Sequence, residues 1–354
     1  MSDIQEIYKG VGLVGAGFTF LDKVPEVLRR APIKVGAFDA LFPHEDNFLR
    51  TRVAQITRIT ETGIQLPVGK RFEDFVGSID KDSGELLNFN TCSFGAGWAV
   101  NPTDIDSKIN PVTGEPMTEE ELVAEMQVKA QMYWDFMREV AKVQLITTDT
   151  NYTGGYAGNP SYNWYTEFEG GSRPAAVSMQ LSVDVDHMAL FQDEVDKMQE
   201  DASKMKINDG FSPLALCGAT FYANRLRIEK NEGLARPLLG PAGDLASEEQ
   251  PFISIGGFRH ATFQGQDGVT YVRMNQSING VKSVGVNDAF LVPQGIPLIS
   301  RYFSPAIGRS TTNKVASEAY GWTEVSERKG VIRAEESNVL YVSKYPKLIR
   351  KLTV

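Results

Sequence analysis

Apolar residues recur along this chain with two periods, and the switches between them mark out its elements. The longest helical run lies at residues 118–146, where Val123, Met126, Ala130, Tyr133, Met137 and Val140 follow one another at spacings of three and four. Thr118 with Glu121 three residues on is a capping box, and Glu119 and Glu120 put negative charge on the first turn, where free N–H groups favour it. The spacing predicts a helix roughly 40 Å long at about 1.5 Å per residue, with Met126, Tyr133, Met137 and Val140 in its packing stripe. Glu125 and Lys129, one turn apart outside that stripe, are placed to pair on its surface. A second amphipathic run, capped near Asp184, carries Met188, Phe191, Val195, Met198, Ala202 and Met205 on one face. Residues 220–230 read as a further helix closed by Gly233, and residues 21–30 as a short one ending at Pro32.

Elsewhere the chain turns β-prone. Val53, Ile56, Ile59 and Ile64 sit among Thr and Arg between residues 38 and 68, with Gly63 supplying a turn, which reads as two strands. Residues 175–182 and 211–217 are short apolar strand candidates. Residues 258–263 and 269–274 flank Asp267 and Gly268, a hairpin signal, and residues 330–354 are β-rich. Blocks of helix and strand without an internal repeat predict an α+β protein.

Residues 67–110 change character: Gly, Asp, Ser and Asn are frequent, yet Phe72, Phe75, Phe89, Phe94 and Trp98 are scattered through them. A solvated loop of that length is rare inside a compact domain, and so many aromatics argue against disorder. The segment reads as a long extended excursion whose rings are buried against something other than the chain's own core, with packing at home held equally open. Each large apolar side chain so covered contributes about 1.5–3 kcal/mol, enough to order a two-stranded flap that is marginal alone. On the first reading, truncating Phe89 or Trp98 costs assembly more than folding.

Composition narrows the function. A chain of 354 residues, 42% hydrophobic and 23% charged, is an ordinary folded protein with a sizeable core. Its 36 Lys and Arg against 45 Asp and Glu give a formal net charge of -9 without a basic block. That opposes tight binding of nucleic acid through phosphates and leaves enclosure of DNA open. Cys92 and Cys217 form no C-x-x-C pair and read as free thiols in a reducing compartment. Residues 1–9 lack a basic n-region, and no apolar run reaches the roughly 18 residues of a membrane span, so neither export nor membrane insertion is expected.

Candidate chemistry is sparse. Gly10, Gly12 and Gly15 form a G-x-G-x-x-G run, the signature by which a dinucleotide fold brings backbone close to a pyrophosphate. Its context is wrong: the preceding residues make a poor buried strand, no acidic residue ends a second strand about 20 residues on, and Pro32 interrupts the region. The glycines read instead as a flexible arm, and a dinucleotide-dependent oxidoreductase is the weaker rival. His44, His187 and His260 lie in different segments without metal-ligand spacing, and Glu335 and Glu336 alternate sides on a strand. No catalytic, cofactor or metal residue is therefore expected, and the chain is not read as an enzyme.

Three stretches carry a resemblance. FDALFP (38–43), GIPLISRYFSPA (295–306) and RKGVIRAEESN (328–338), the last followed by KYPKL (344–348), are similar to stretches of the lambda-type major capsid protein E family of tailed bacteriophages. Residues 221–233 also fit that family's first axial-domain helix, while Val339 and Leu340 stand where the family often has a proline after its E-S-N signature. The likeness runs in order along nearly the whole chain. It implies the Hong Kong ninety-seven-type phage major capsid protein fold, and a subunit that assembles into hexamers and pentamers of an icosahedral head enclosing double-stranded DNA.

The resemblance also implies a division of the chain. Residues 1–36 would be an N-terminal arm, 37–66 the first part of the peripheral domain and 67–110 an E-loop lying over a neighbouring subunit. Residues 111–182 would hold the spine helix, 183–300 the axial domain and 301–354 the return to the peripheral domain. On this mapping Phe72, Phe75, Phe89, Phe94 and Trp98 make inter-subunit contacts. Portal, scaffolding and decoration proteins are implied partners, no cofactor is implied, and the location is the virion after assembly in host cytoplasm. Lys70 and Lys81, in the excursion, read as ordinary solvated lysines. An encapsulin-type compartment is the alternative use of the same fold.

Overall fold

A computed structural model describes residues 37–58, 85–100, 108–109, 114–179, 187–205, 207, 210–231, 252–255, 258–265, 267–274, 277–278, 281–306, 316–326 and 330–354. The expected arm, the helix at 21–30, Gly10, Gly12 and Gly15, Phe72 and Phe75, Lys70 and Lys81, and the caps at Asp184 and Gly233 lie outside these residues. The helices are α1 (Ala37–Leu41), α2 (Glu119–Thr148), α3 (Trp164–Glu169), α4 (His187–Lys204) and α5 (Ala219–Asn231). The strands begin with β1 (His44–Phe48), β2 (Val53–Arg58), β3 (Glu85–Asn90), β4 (Cys92–Val100), β5 (Val177–Ser178) and β6 (Ser212–Cys217). They continue with β7 (Phe252–Ile255), β8 (Phe258–Gln264), β9 (Thr270–Arg273), β10 (Ser277–Ile278), β11 (Val281–Lys282) and β12 (Asp288–Gln294). The last are β13 (Ile299–Phe303), β14 (Tyr320–Ser326), β15 (Gly330–Ser343) and β16 (Arg350–Thr353).

Two sheets organise these elements, and the expected α+β class holds. The smaller sheet is built on β15, which runs antiparallel to β13 and β14 along one side and to β4 along the other, with β1 added parallel to β13. The larger has the order β5-β16-β12-β6-β9-β8-β7. Its central strands are buried on both faces, as the apolar runs of β6 and β12 require. The expected hairpin is β8 and β9, which pair Thr262 with Val272 and Phe263 with Tyr271. Gly268 in its turn has φ 78°, a left-handed conformation that costs glycine little. At the chain's end β16 joins β12 in the larger sheet.

Helix α2 begins as its sequence dictates. Thr118 Oγ1 accepts from Glu121 N at 3.3 Å, and Glu121 Oε2 accepts from Thr118 N at 2.9 Å, the reciprocal pair of a capping box. Replacing Thr118 by alanine is expected to cost about 1 kcal/mol, within the range of lost N-caps, read as a lower thermal midpoint. At the other end Arg173 donates to Ile146 O at 3.2 Å and Thr147 O at 3.4 Å, setting a cation against the last carbonyls. The same guanidinium reaches Asp149 Oδ1 at 2.6 Å.

The packing face of α2 differs from the expected stripe. Ala130, Trp134, Met137, Ala141, Leu145 and Ile146 are buried, whereas Tyr133 is 44% exposed and Met126 and Val140 are half-buried. Trp134 takes the inward position because its indole N–H donates to Glu335 Oε2 on β15 at 3.1 Å, a contact Tyr133 does not make. Residues 38–41, expected as strand, are helical in α1, whose first N–H groups are satisfied by a carboxylate of α2. Helix α4 buries Phe191, Val195, Met198 and Ala202 as expected.

Candidate functional site

The excursion springs from β2 and β3, an antiparallel pair whose register sets Ala54 opposite Phe89 and Ile56 opposite Leu87. Period-two alternation sorts its faces: Ala54, Ile56 and Phe89 turn inward and are buried, while Val53 and Leu86 are 36% and 53% exposed. Phe89 meets Tyr162 and Trp164 edge-on at 5.0 Å each, and Phe168 at 6.2 Å. This corrects the expectation for Phe89: its ring is covered by the chain's own core, by the short helix α3 and Tyr162 before it. Phe94 is corrected likewise, being buried and stacked on Tyr152 at 5.6 Å. Trp98 is half-buried on β4, and Phe72 and Phe75 lie outside the described residues. Of the expected helix-packing residues, only Met137 is fully covered.

Strand β4 is held from its far side by a polar loop. Asn159 accepts from Ser93 N at 2.8 Å and donates to Ser93 O at 2.9 Å, acting as a one-residue strand partner. Asn151, fully buried, donates to Pro160 O at 3.0 Å and to Cys92 Sγ at 3.3 Å, and accepts from Tyr162 N at 2.6 Å. Between this loop and α2 opens a cleft of about 340 Å³, lined by Phe94, Tyr133, Tyr156 and Asn159 among others.

A buried polar clamp, which the apolar spacing did not announce, fastens α1 and β1 to α2 and β13. Glu139 on α2 accepts from Phe38 N at 3.0 Å and Asp39 N at 2.9 Å. One turn on, the fully buried Lys142 reaches Asp39 Oδ1 at 2.7 Å, Phe42 O at 2.6 Å and His44 Nδ1 at 2.8 Å. Arg301 on β13 holds Asp46 through two bonds of 2.7 and 2.8 Å and reaches Glu318 at 3.1 Å. The Lys142–Asp39 and Arg301–Asp46 pairs each join segments over 100 residues apart, so they define how the first described segment docks.

Among the described residues no cluster of three or more His, Cys, Asp or Glu could hold a metal ion, and no helix is long and apolar enough to cross a membrane. The three histidines stay apart: His44 in the clamp, His187 opening α4, and His260 buried on β8 with Nδ1 3.2 Å from Arg273 O. Both cysteines are free and buried, and burial pushes the Cys92 thiol up to about 11 and Cys217 higher.

No protein-family model and no curated protein matches the sequence. Solved structures do: a chain described as the capsid protein of a prophage of E. coli CFT073 aligns with 94% of this chain and 98% of its own, at a TM-score of 0.50 and 12% identity. The chain has the Hong Kong ninety-seven-type capsid fold. A chain of the holo-SrpI encapsulin complex from Synechococcus elongatus PCC 7942 covers 98% of this chain and 94% of its own at a TM-score of 0.44 and 11% identity. One from the capsid of cyanophage P-SCSP1u covers 98% and 93%, at 0.48 and 9%. Within this Hong Kong ninety-seven-type fold the stretches that carried the sequence resemblance become neighbours. FDALFP leads into β1, GIPLISRYFSPA contains β13, and residues 330–338 of RKGVIRAEESN form the first part of β15; β13 lies between β1 and β15.

Proposed function

We propose that this chain is a phage major capsid protein of the lambda type, assembling into the hexamers and pentamers of an icosahedral head that encloses double-stranded DNA. One observation carries the reading beyond the fold itself. The outer face of the β2–β3 pair and the end of β1 leave Phe48, Val53 and Leu86 open at 55%, 36% and 53%. The inner face of the pair is packed on the chain's own core, and a second copy of the chain laid against the outer one would cover these side chains. The net charge of -9 fits a wall that encloses DNA and does not hold it by its phosphates.

In this reading α2 is the spine helix, residues 67–110 include the E-loop, and α4 to β12 lie in the axial domain. The inter-subunit role expected of all five aromatics narrows to Phe72, Phe75 and the half-buried Trp98. Heterologous contacts between identical subunits close into rings, and portal, scaffolding and decoration proteins are the further partners of such a head in the virion.

Negative-stain microscopy and sedimentation of the purified full-length chain test this. Closed shells of uniform size are expected, and a compact monomer at every salt and protein concentration would refute the proposal. The double variant F72A/F75A is expected to lower shell yield while leaving the melting temperature of the unassembled subunit unchanged.

A further inference from the structure

The clamp contains a contact whose chemistry is one-sided. A lysine ammonium has three protons to donate and no lone pair to accept with. Lys142 Nζ turns them toward Phe42 O at 2.6 Å, Asp39 Oδ1 at 2.7 Å and His44 Nδ1 at 2.8 Å, with Asp39 O farther off at 3.4 Å. His44 Nδ1 must therefore be the acceptor, so the ring is neutral and carries its proton on Nε2, which faces Asp46 Oδ1 at 3.8 Å. A second ring proton would put an N–H against the ammonium, with the Arg301 guanidinium also nearby.

We propose that His44 is an acid-sensitive latch: protonating its ring breaks the Lys142 contact and releases α1 and β1 from α2 and β13. The groups facing the ring come from every element around it. Helix α1 brings Asp39, with Arg138 of α2 beside it; α2 brings Lys142, with Glu139 beside it; β1 itself brings Asp46; β13 brings Arg301, with Glu318 and Tyr341 behind it. The two carboxylates nearest the ring favour its protonation but are already engaged, Asp39 by Lys142 and Asp46 by both arms of Arg301. Burial, then the charges of Lys142 and Arg301, hold His44 down at about 4, below the ordinary value near 6.5.

A group that binds its proton less readily when docked makes docking weaker as pH falls through the interval between the two values. The window thus runs from about pH 6.5 to about pH 4, and the largest loosening it allows at pH 5 is about 30-fold. The neighbouring acids do not imitate it. Burial pushes Asp39 up, but Lys142 outweighs this and leaves it below 3.8, so its loss comes at lower pH. Burial raises Glu139 above 4.5, which favours the docked form on acidification and opposes the effect.

Hydrogen exchange of the full-length chain at pH 7 and pH 5, corrected for the intrinsic pH dependence of exchange, reads the latch in peptides covering residues 37–48. Wild-type protection there is expected to fall by roughly tenfold or more, within the 30-fold ceiling. The H44Q variant, whose amide oxygen accepts from Lys142 without titrating, is expected to keep its protection. Wild-type protection that changes less than about twofold, or an H44Q segment that loosens as much as wild type, overturns the proposal. Should H44Q fail to fold, the imidazole titration of His44 in the wild-type chain decides. A midpoint below about pH 5.5 supports the latch, and one at or above it overturns it.

Discussion

Phe89→Ala is expected to destabilise the folded subunit by about 3–5 kcal/mol, the usual cost of removing a large aromatic from a core. The ring is 3% exposed and stands edge-on to Tyr162 and Trp164, which is itself stacked on Phe168 at 5.6 Å. Those partners sit on α3 and the loop before it, fixed by Asn163 at one end and Gly170 at the other, so they are poorly placed to collapse into the space left behind. Guanidinium unfolding of the dissociated subunit measures the loss. The contrast with F72A/F75A is the informative part: one lesion should lower the unfolding midpoint, the other the shell yield. An unchanged midpoint in Phe89→Ala, with shells lost, would return Phe89 to the inter-subunit role first expected of it.

What the sequence disclosed was mostly local. The capping box at Thr118 and Glu121, the buried face of α4, the β8–β9 hairpin around Gly268 and the strand–helix succession of β6 and α5 all depend on residues a few positions apart. Apolar spacing alone does not give the phase of α2, because part of its docked side is polar. Glu139 and Lys142 lie on the docked side, and their partners are supplied by residues 38–44, about 100 positions away. Helix α3 was missed although its ends are marked by an N-capping Asn163 and a left-handed Gly170 (φ 73°). Six residues are too few to show a helical period, and without α3 the Phe89 ring had no visible partner at home. The burial of Phe89 could have been inferred from the Trp164 and Phe168 pair, one turn apart.

The same distinction governs the site. On the function proposed above, the working surface is a set of contacts with other copies, so its residues carry no shared chemistry that spacing could reveal. The three resemblance stretches, by contrast, converge in the smaller sheet, with β13 between β1 and β15. Their convergence accounts for why short similarities scattered over the chain pointed to a fold more reliably than to contact residues.

Asp267→Ala is expected to cost about 3–5 kcal/mol, because it removes the carboxylate of an ion pair buried in the larger sheet's core. The Asp267 side chain has no exposed surface, and that of Arg225 is 1% exposed. Asp267 Oδ2 accepts from Tyr271 Oη at 2.6 Å and from Arg225 at 3.2 Å, while Oδ1 accepts from Val269 N at 3.0 Å. One carboxylate thus neutralises the guanidinium, satisfies a buried phenol and ties down the turn at Gly268. Arg225 lies over the rings of Phe191 and Tyr271 at 5.0 and 5.2 Å, contacts that remain in the variant without replacing the lost negative charge. Replacing both partners removes the charge problem, so R225M/D267A is expected to regain much of the loss despite removing more hydrogen bonds. Guanidinium midpoints of the two single variants and the double variant form the test, with hydrogen exchange in residues 258–274 as a local readout. If the double variant is as unstable as the sum of the singles, the network acts through its hydrogen bonds and packing, and the buried charge is not the source of the penalty.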